Sequence, residues 1–202
     1  MLVDVLGVGL LLIGRSGVGK SEAALDLILK GHRLVADDIV EVTVRPPDTV
    51  WGAALEMHQH HMEIRGLGIL NITHLFGVAA VRDNKKIEVV VELSEVQEDD
   101  YDRLGTEQQV WPILGVDVPL ARIPLRPGRN IASLIEVVAR NQLLKYRGHD
   151  SAREFQEKIN ARIAASARGV NIRGTGPVVP RPDVPVAAPR ATSQAMPIPE
   201  VE

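Results

Sequence analysis

The amino-acid sequence predicts an α/β domain: a P-loop set into a mixed sheet, with helices at the C-terminal end. Three observations carry that expectation. The apolar run at residues 10–13 leads into GRSGVGKS and then into an amphipathic stretch, the strand, loop and helix order that a phosphate grip needs. Further apolar, β-like runs recur at residues 33–36, 39–44 and 86–93, with turn residues between them. Two stretches of helical period, each opened by capping residues, follow at 131–147 and 151–168.

In chain order, residues 2–6 alternate like a strand, and Gly7-Val8-Gly9 turns it into the second strand at 10–13. A chain that starts flush inside a sheet is expected to have more chain ahead of it. Residues 21–30 read as a helix with Ala24, Leu25 and Ile28 on one face, Glu22 in its first turn, Lys30 in its last and Gly31 as its stop. The strand at 33–36 ends at Asp37-Asp38, and the one at 39–44 is broken by Pro46-Pro47. Residues 51–61 are expected to be helical, and EIRGLGILNI at 63–72 is punctuated by glycine. Residues 78–82 and 86–93 are β-like, with 87–91 apolar enough for a central strand.

Residues 94–109 are acidic and loop-like, and short strands interrupted by prolines follow. Asn130 caps the helix at 131–147, whose Leu134, Ile135, Val138 and Leu144 should face inward. Ser151 with Glu154 makes a capping-box pattern, opening a helix in which Phe155, Ile159 and Ile163 recur every four residues until Gly169. Seven of the thirteen prolines then fall between Pro177 and Pro199. Residues 169–202 are therefore expected to be a disordered or polyproline-like tail on a catalytic domain spanning 1–168.

With 202 residues, 45% of them hydrophobic, the chain can bury one globular core. A net charge of -3 gives no global pull toward nucleic acid or anionic membrane. Aromatics at 3% argue against stacking platforms for single strands. The absence of cysteine excludes a disulfide framework and a thiolate metal site. No apolar run approaches the roughly 18 residues a membrane span needs. There is no basic start with a small-residue cleavage site, so a cytoplasmic setting is expected.

The chemistry starts from G-x-x-x-x-G-K-S/T, satisfied by Gly14, Arg15, Ser16, Gly17, Val18, Gly19, Lys20 and Ser21. Glycines let backbone N–H groups and the helix N-terminus face phosphate oxygens. Lys20 adds a point charge on the outer phosphates, and the Ser21 hydroxyl can ligate Mg2+. Such a grip needs an acid to hold metal or take a proton, and Asp37 and Asp38 are the nearest. A right-handed βαβ unit would place their strand near the loop's strand, with both carboxyl ends at one edge. Neighbouring side chains on a strand point to opposite faces, so one acid can serve the metal while the other meets the acceptor.

Glu63 is either a ligand or an ordinary helix-end glutamate on this reading; Gly66 and Gly68 would let backbone approach a ligand closely. The HQHH run at 58–61 fits no zinc spacing and reads as a helix end. Arg126 and Arg129, across the Pro-Gly turn of PLRPGRN, suit a phosphoryl group or an acidic partner surface.

Taken together, LVDVLGVGLLLIGRSGVGKSE, GHRLVADDIVEV, EIRGLGILNI, YDRLG and PLRPGRN, in this order, resemble the catalytic domain of bacterial HPr kinase/phosphorylase over residues 2–160. The resemblance implies a P-loop kinase fold similar to phosphoenolpyruvate carboxykinase. It implies Mg2+-dependent phosphorylation of a seryl hydroxyl of the phosphocarrier HPr by ATP or pyrophosphate, and phosphorolysis at the same site. The setting it implies is carbon catabolite repression, usually as a homohexamer.

Residue by residue, it places nucleotide on 14–21 with Lys20 at the phosphates, Asp38 as proton acceptor, Asp37 in support of metal and water, and Ser21 and Glu63 on Mg2+. Arg103, in YDRLG, matches a catalytic arginine. Met62, Glu63, Ile64, Arg65, Gly66, Leu67, Gly68, Ile69, Leu70 and Asn71 match a signature needed in both directions. The loop at 124–129, with Arg126 and Arg129, matches one tied chiefly to dephosphorylation. A catalytic histidine just upstream of LVDV and an N-terminal domain are also implied, and Arg15 stands where an acid is expected. Two other readings of the residues stand beside this one: a different small P-loop kinase, and a nucleotide-sensing module without transfer activity.

Overall fold

The computed structural model describes residues 1–94, 108–126 and 128–167; Arg103 and the proline-rich tail lie outside the described residues. In chain order the strands and helices are β1 (Leu2–Val5), β2 (Val8–Gly14), α1 (Lys20–Leu29), β3 (Arg33–Ala36), β4 (Val40–Arg45), β5 (Thr49–Ala54), β6 (His61–Ile64), β7 (Gly68–Asn71) and α2 (Ile72–Phe76). They continue with β8 (Asn84–Lys86), β9 (Val89–Ser94), β10 (Val110–Ile113), β11 (Val116–Pro124), α3 (Ile131–Tyr146) and α4 (Ser151–Ala167).

Six strands form a mixed sheet in the order β10-β11-β9-β2-β1-β3. β2, β9 and β11 run parallel, so their carboxyl ends share one edge. β9 lies at the centre, as the apolar run at 87–91 leads one to expect. The alternation of β2 and β9 sends Leu10, Leu12, Val89, Val91 and Leu93 to one face, covered by Ala24, Leu27 and Ile28 of α1 and by Ala132, Ile135 and Ala139 of α3. On the other face Leu2, Val90 and Val118 meet Val50 and Ala54 of a second sheet, β4-β5-β8. Each large side chain so buried contributes about 1.5–3 kcal/mol, and helix, sheet and sheet make three layers.

The loop's strand and the acid pair's strand are not neighbours. β1 stands between them, antiparallel to both. The tight Leu6-Gly7 turn folds β1 against β2, which leaves the outer side of β1 as the open slot for β3. Because β2 and β3 both oppose β1, they still point the same way, and the expectation of a shared carboxyl edge holds.

The helix expected at 51–61 is absent. β5 alternates buried and half-buried residues, a 3-10 turn occupies Glu56–His58, and β6 follows. Ala53 and Ala54 favour a helix locally, but pairing with β4 and β8 overrides them, and Glu56 and Met57 are left to the short 3-10 turn. Gly52 makes that packing possible: a Cβ there would stand 2.6 Å from Leu2 Cδ2 and 2.9 Å from Val40 Cγ1. Residues 78–82 hold a 3-10 turn at Val78–Ala80 and only an isolated bridge from Val81 to Leu34. α4 is capped by Asp150, whose Oδ1 accepts from Arg153 N at 3.3 Å, rather than by Ser151. Leu144, Phe155 and Ile163 are exposed.

The far end of α1 is tied to α3. His32 Nε2 lies 2.9 Å from Glu136 Oε1, and Arg140 Nη1 donates to Glu136 Oε2 at 3.0 Å. These bonds, from His32 first and Arg140 next, hold the Glu136 carboxyl down at about 2. The β1–β2 hairpin is as tightly constrained. Gly9 N donates to Glu88 Oε2 at 2.7 Å, and a Cβ at Gly9 would run into the Lys86 carbonyl oxygen. Gly9→Ala is therefore expected to cost about 2–3 kcal/mol, read from the urea midpoint at unchanged slope. An unshifted midpoint would show that the two backbones part freely. No helix among the described residues is long and apolar enough to cross a membrane.

Candidate active site

The P-loop leaves β2 with positive φ at Gly14, Gly17 and Gly19, a backbone curl that side chains with a Cβ rarely adopt. Gly14 also packs against β9, where a Cβ would come within 2.6 Å of the Leu93 carbonyl oxygen. α1 begins at Lys20, one residue before the expected start, so Lys20 and Ser21 both stand in its first turn. Lys20 Nζ donates to the carbonyls of Gly14 at 2.9 Å and Arg15 at 2.8 Å. The ammonium is thereby braced across the loop, with one of its three hydrogens left to meet an anion.

β3 delivers the acid pair to the same edge, and the two side chains part in the bend that follows Ala36. Asp38 is exposed; Asp37 is 9% exposed. Asp37 Oδ2 accepts from Glu63 N at 2.8 Å, while its Oδ1 is buried with no hydrogen-bond partner among the described residues. Burial pushes the Asp37 carboxyl upward, the Glu63 N–H bond opposes this, and the neighbouring Asp38 charge adds to the rise. Asp37 thus fastens β6 to β3 and sets the backbone of Glu63.

A raised carboxyl binds its proton more readily in the folded state, so its charge costs stability as pH climbs from the ordinary carboxylate range through the raised value. Asp37→Asn keeps an acceptor for Glu63 N and removes that charge. It is expected to raise stability at pH 7, with the gain fading toward pH 4. Chemical denaturation at the two pH values measures it; an equal effect at both would rule out the charge as the cause.

In β6, Met62 and Ile64 are buried while Glu63 points outward, and Arg65, the first residue of the turn to β7, is exposed as well. The hairpin with β7 brings that outward face to the P-loop. A polar cavity of about 130 Å³ results, in which Lys20 and Ser21 of α1 meet Asp38, Glu63 and Arg65. Of the ten signature residues, Glu63 and Arg65 line it. Leu67 and Ile69 are exposed, and Asn71 caps α2, its Oδ1 accepting from His74 N at 3.0 Å.

A second cavity of about 380 Å³ opens on the other flank of the loop, between residues 14–18 and Glu92, Leu93 and Ser94 at the end of β9. Ser94 Oγ is buried there without a partner among the described residues, and Glu92 accepts from Arg122 Nε at 2.8 Å. None of these β9 residues was singled out from the sequence. The available signal was an apolar central strand turning polar at its carboxyl end, the place where open α/β sheets bind ligands.

Arg126 and Arg129 leave from the same edge, since Leu125 N donates to Ser94 O at 3.0 Å, but neither lines the two cavities among the described residues. The histidine run disperses: His60 faces Asp83 at 3.4 Å, and His61 Nδ1 bonds the Gln59 carbonyl. No group of three or more His, Cys, Asp or Glu is placed to hold a metal among the described residues. The hard oxygen donors of Ser21 and Glu63 in one cavity fit Mg2+ nonetheless. That ion takes one or two carboxylates and completes its shell with water and substrate phosphates.

A glycine-rich turn from a parallel strand into a helix, faced by acids from the end of a second strand and from a hairpin, is the arrangement of an α/β domain with a phosphate-binding loop. The HPr serine kinase C-terminal domain model matches residues 1–159. Among curated proteins, the HPr kinase/phosphorylase of Geobacter sulfurreducens is 56% identical over 172 residues, covering 84% of this chain and 53% of its own length. That of Bacillus pumilus is 53% identical over 160 residues, covering 79% of this chain and 52% of its own. The solved HPr(Ser) kinase/phosphatase of Coxiella burnetii superposes with a TM-score of 0.67 at 32% identity, over 77% of this chain and 95% of the solved one. The chain belongs to the HPr kinase/phosphorylase family and corresponds to its C-terminal domain. It spans about half the length of the curated relatives it matches.

Proposed function

We propose that this chain carries the catalytic centre of a bifunctional HPr kinase/phosphorylase. The centre phosphorylates a seryl residue of HPr from ATP or pyrophosphate and removes that phosphate by phosphorolysis, in the service of carbon catabolite repression. The observation that carries this reading is the meeting of Lys20, Ser21, Asp38 and Glu63 in one cavity at the start of α1. The names of its relatives point to the same substrate.

Loop N–H groups and Lys20 hold the outer phosphates. Ser21 and Glu63 would hold Mg2+, which supplies positive charge to the phosphate oxygens when bound. The exposed Asp38 accepts the seryl proton in the forward direction and returns it in reverse, as microscopic reversibility requires. Arg103 adds a further cation in this reading, Arg126 and Arg129 serve the reverse direction, and the working form is a cytoplasmic homohexamer. Residues 1–168 make up the catalytic domain, and the tail at 169–202 takes no part in the chemistry.

The test is to incubate the protein with HPr, ATP and Mg2+ and look for phosphoserine by mass spectrometry, then to supply the product with inorganic phosphate and look for pyrophosphate. Transfer to free serine, a nucleoside or a sugar but not to HPr would establish a small-molecule kinase instead. Tight ATP binding with transfer to no acceptor would leave a sensing module.

A further inference from the structure

A third cavity, of about 320 Å³, opens at the opposite edge of the sheet from the P-loop. It lies where β1 turns into β2 at Leu6-Gly7 and where α1 gives way to β3, so the ten residues of α1, about 15 Å, separate it from the phosphate grip. Lys30, Arg33 and Arg82 line it against a single carboxylate, that of Asp4. The sheet sets Asp4 directly opposite Arg33. The carboxylate nevertheless takes Arg82, whose Nη1 donates to Asp4 Oδ2 at 2.7 Å. Arg33 is thereby left exposed, with no hydrogen bond or ion pair among the described residues. Glu136 is shared among His32, Lys30 and Arg140, so it cancels no more than one of their charges. His32, 8% exposed, also lines the cavity. Its Nε2 faces the Glu136 carboxylate at 2.9 Å, while Nδ1 makes no hydrogen bond among the described residues. A carboxylate only accepts, so Nε2 carries a hydrogen and Nδ1 is the ring nitrogen left for a ligand. The carbonyls of Asp26, Leu27 and Ile28 at the end of α1 do not oppose an anion, because Lys30 N, Gly31 N and His32 N already donate to them.

We propose that this cavity is a second anion site, built for a small organic dianion, a phosphate monoester or a dicarboxylate. The Arg33 fork takes two oxygens of the ligand at once, Lys30 adds a point charge, and an imidazolium His32 donates from Nδ1. Asp4, 4% exposed and spent on Arg82, offers the ligand little repulsion. Leu6, 43% exposed, gives the carbon part of the ligand an apolar wall. The volume lies within the range of small-molecule pockets, about 300–1,000 Å³, which leaves room for a carbon skeleton beyond the anionic group. The site shares no residue with the phosphate grip, so it goes beyond the phosphotransfer reading and either can stand without the other.

The experiment titrates the full chain with inorganic phosphate, glycerol phosphate and succinate at constant ionic strength, following the His32 imidazole by heteronuclear NMR, with His32→Gln to assign its signals. Saturable movement of those signals is expected with at least one probe. Binding should weaken about tenfold or more in Arg33→Gln and stay unchanged in Lys20→Met, which disables the phosphate grip instead. If Lys20→Met does not fold, the wild type and Arg33→Gln, whose altered side chain is exposed, decide the matter. A stronger response to glycerol phosphate than to succinate makes the ligand a phosphate ester, the reverse makes it a dicarboxylate, and equal responses make charge the determinant. No saturable movement with any probe, the same affinity in Arg33→Gln, or loss of binding in Lys20→Met alone overturns the proposal. HPr is absent from this titration, so a failure to phosphorylate HPr would undo the substrate assignment and leave the second site to be judged by His32.

Discussion

Asp38→Asn should reduce phosphoryl transfer by about 10²–10⁴-fold, the usual contribution of a positioned general base. The loss should be equal in the two directions, because the group that takes the seryl proton must be the one that returns it. Asp38 is exposed at the end of β3 and faces the cavity, whereas Asp37 beside it is buried and bound to Glu63 N. Its removal should therefore leave the unfolding midpoint unchanged and alter kcat far more than the KM for ATP. Initial rates of HPr phosphorylation and of pyrophosphate formation, measured on one preparation, give both numbers. A variant that loses kinase activity while keeping its phosphorolytic rate would show that another group handles the proton.

Lys20→Met should abolish both activities as well, by a different route. The wild-type ammonium braces the loop through Gly14 O and Arg15 O and offers its remaining hydrogen to phosphate. A charge-assisted hydrogen bond contributes about 1.5–3 kcal/mol in the ground state alone, a factor of about 10–100 in affinity, before any gain in the transition state. ATP and pyrophosphate should weaken alike, since the contact is to phosphate and not to nucleoside. Lys20→Arg should fail to rescue turnover, because a planar fork cannot reach two loop carbonyls and a phosphate as a compact ammonium does. Calorimetric titration with each donor measures the effect, and wild-type turnover in Lys20→Arg would refute the brace.

The phosphate grip was legible because its determinants are local: three glycines, a lysine and a serine at fixed spacing between an apolar strand and a helix. Asp37 and Asp38 could be placed at the right edge because strand direction follows from a short crossover, even though β1 intervenes. What the residues alone could not show depends on distant partners. The helix formers Leu55, Glu56 and Met57 end in no more than a 3-10 turn because the strand before them, β5, is paired on both sides by the distant β4 and β8. The separate fates of the two acids follow from the Glu63 amide, supplied by a hairpin 26 residues away. Ser94 and Glu92 escaped notice because no motif marks them; only the order of strands puts them beside the loop. The signature segment reads as one block in the sequence, yet folding sorts it into core anchors, two cavity residues and a helix cap.

The position of β1 between β2 and β3 has a consequence for size. Neighbouring strands lie about 4.8 Å apart, so the inserted strand sets the phosphate loop and the acid pair roughly 9–10 Å apart along the sheet edge. At two spacings there is width for a phosphoryl group and an acceptor oxygen side by side. β1, which places no side chain in either cavity beside the loop, acts as the ruler of the site.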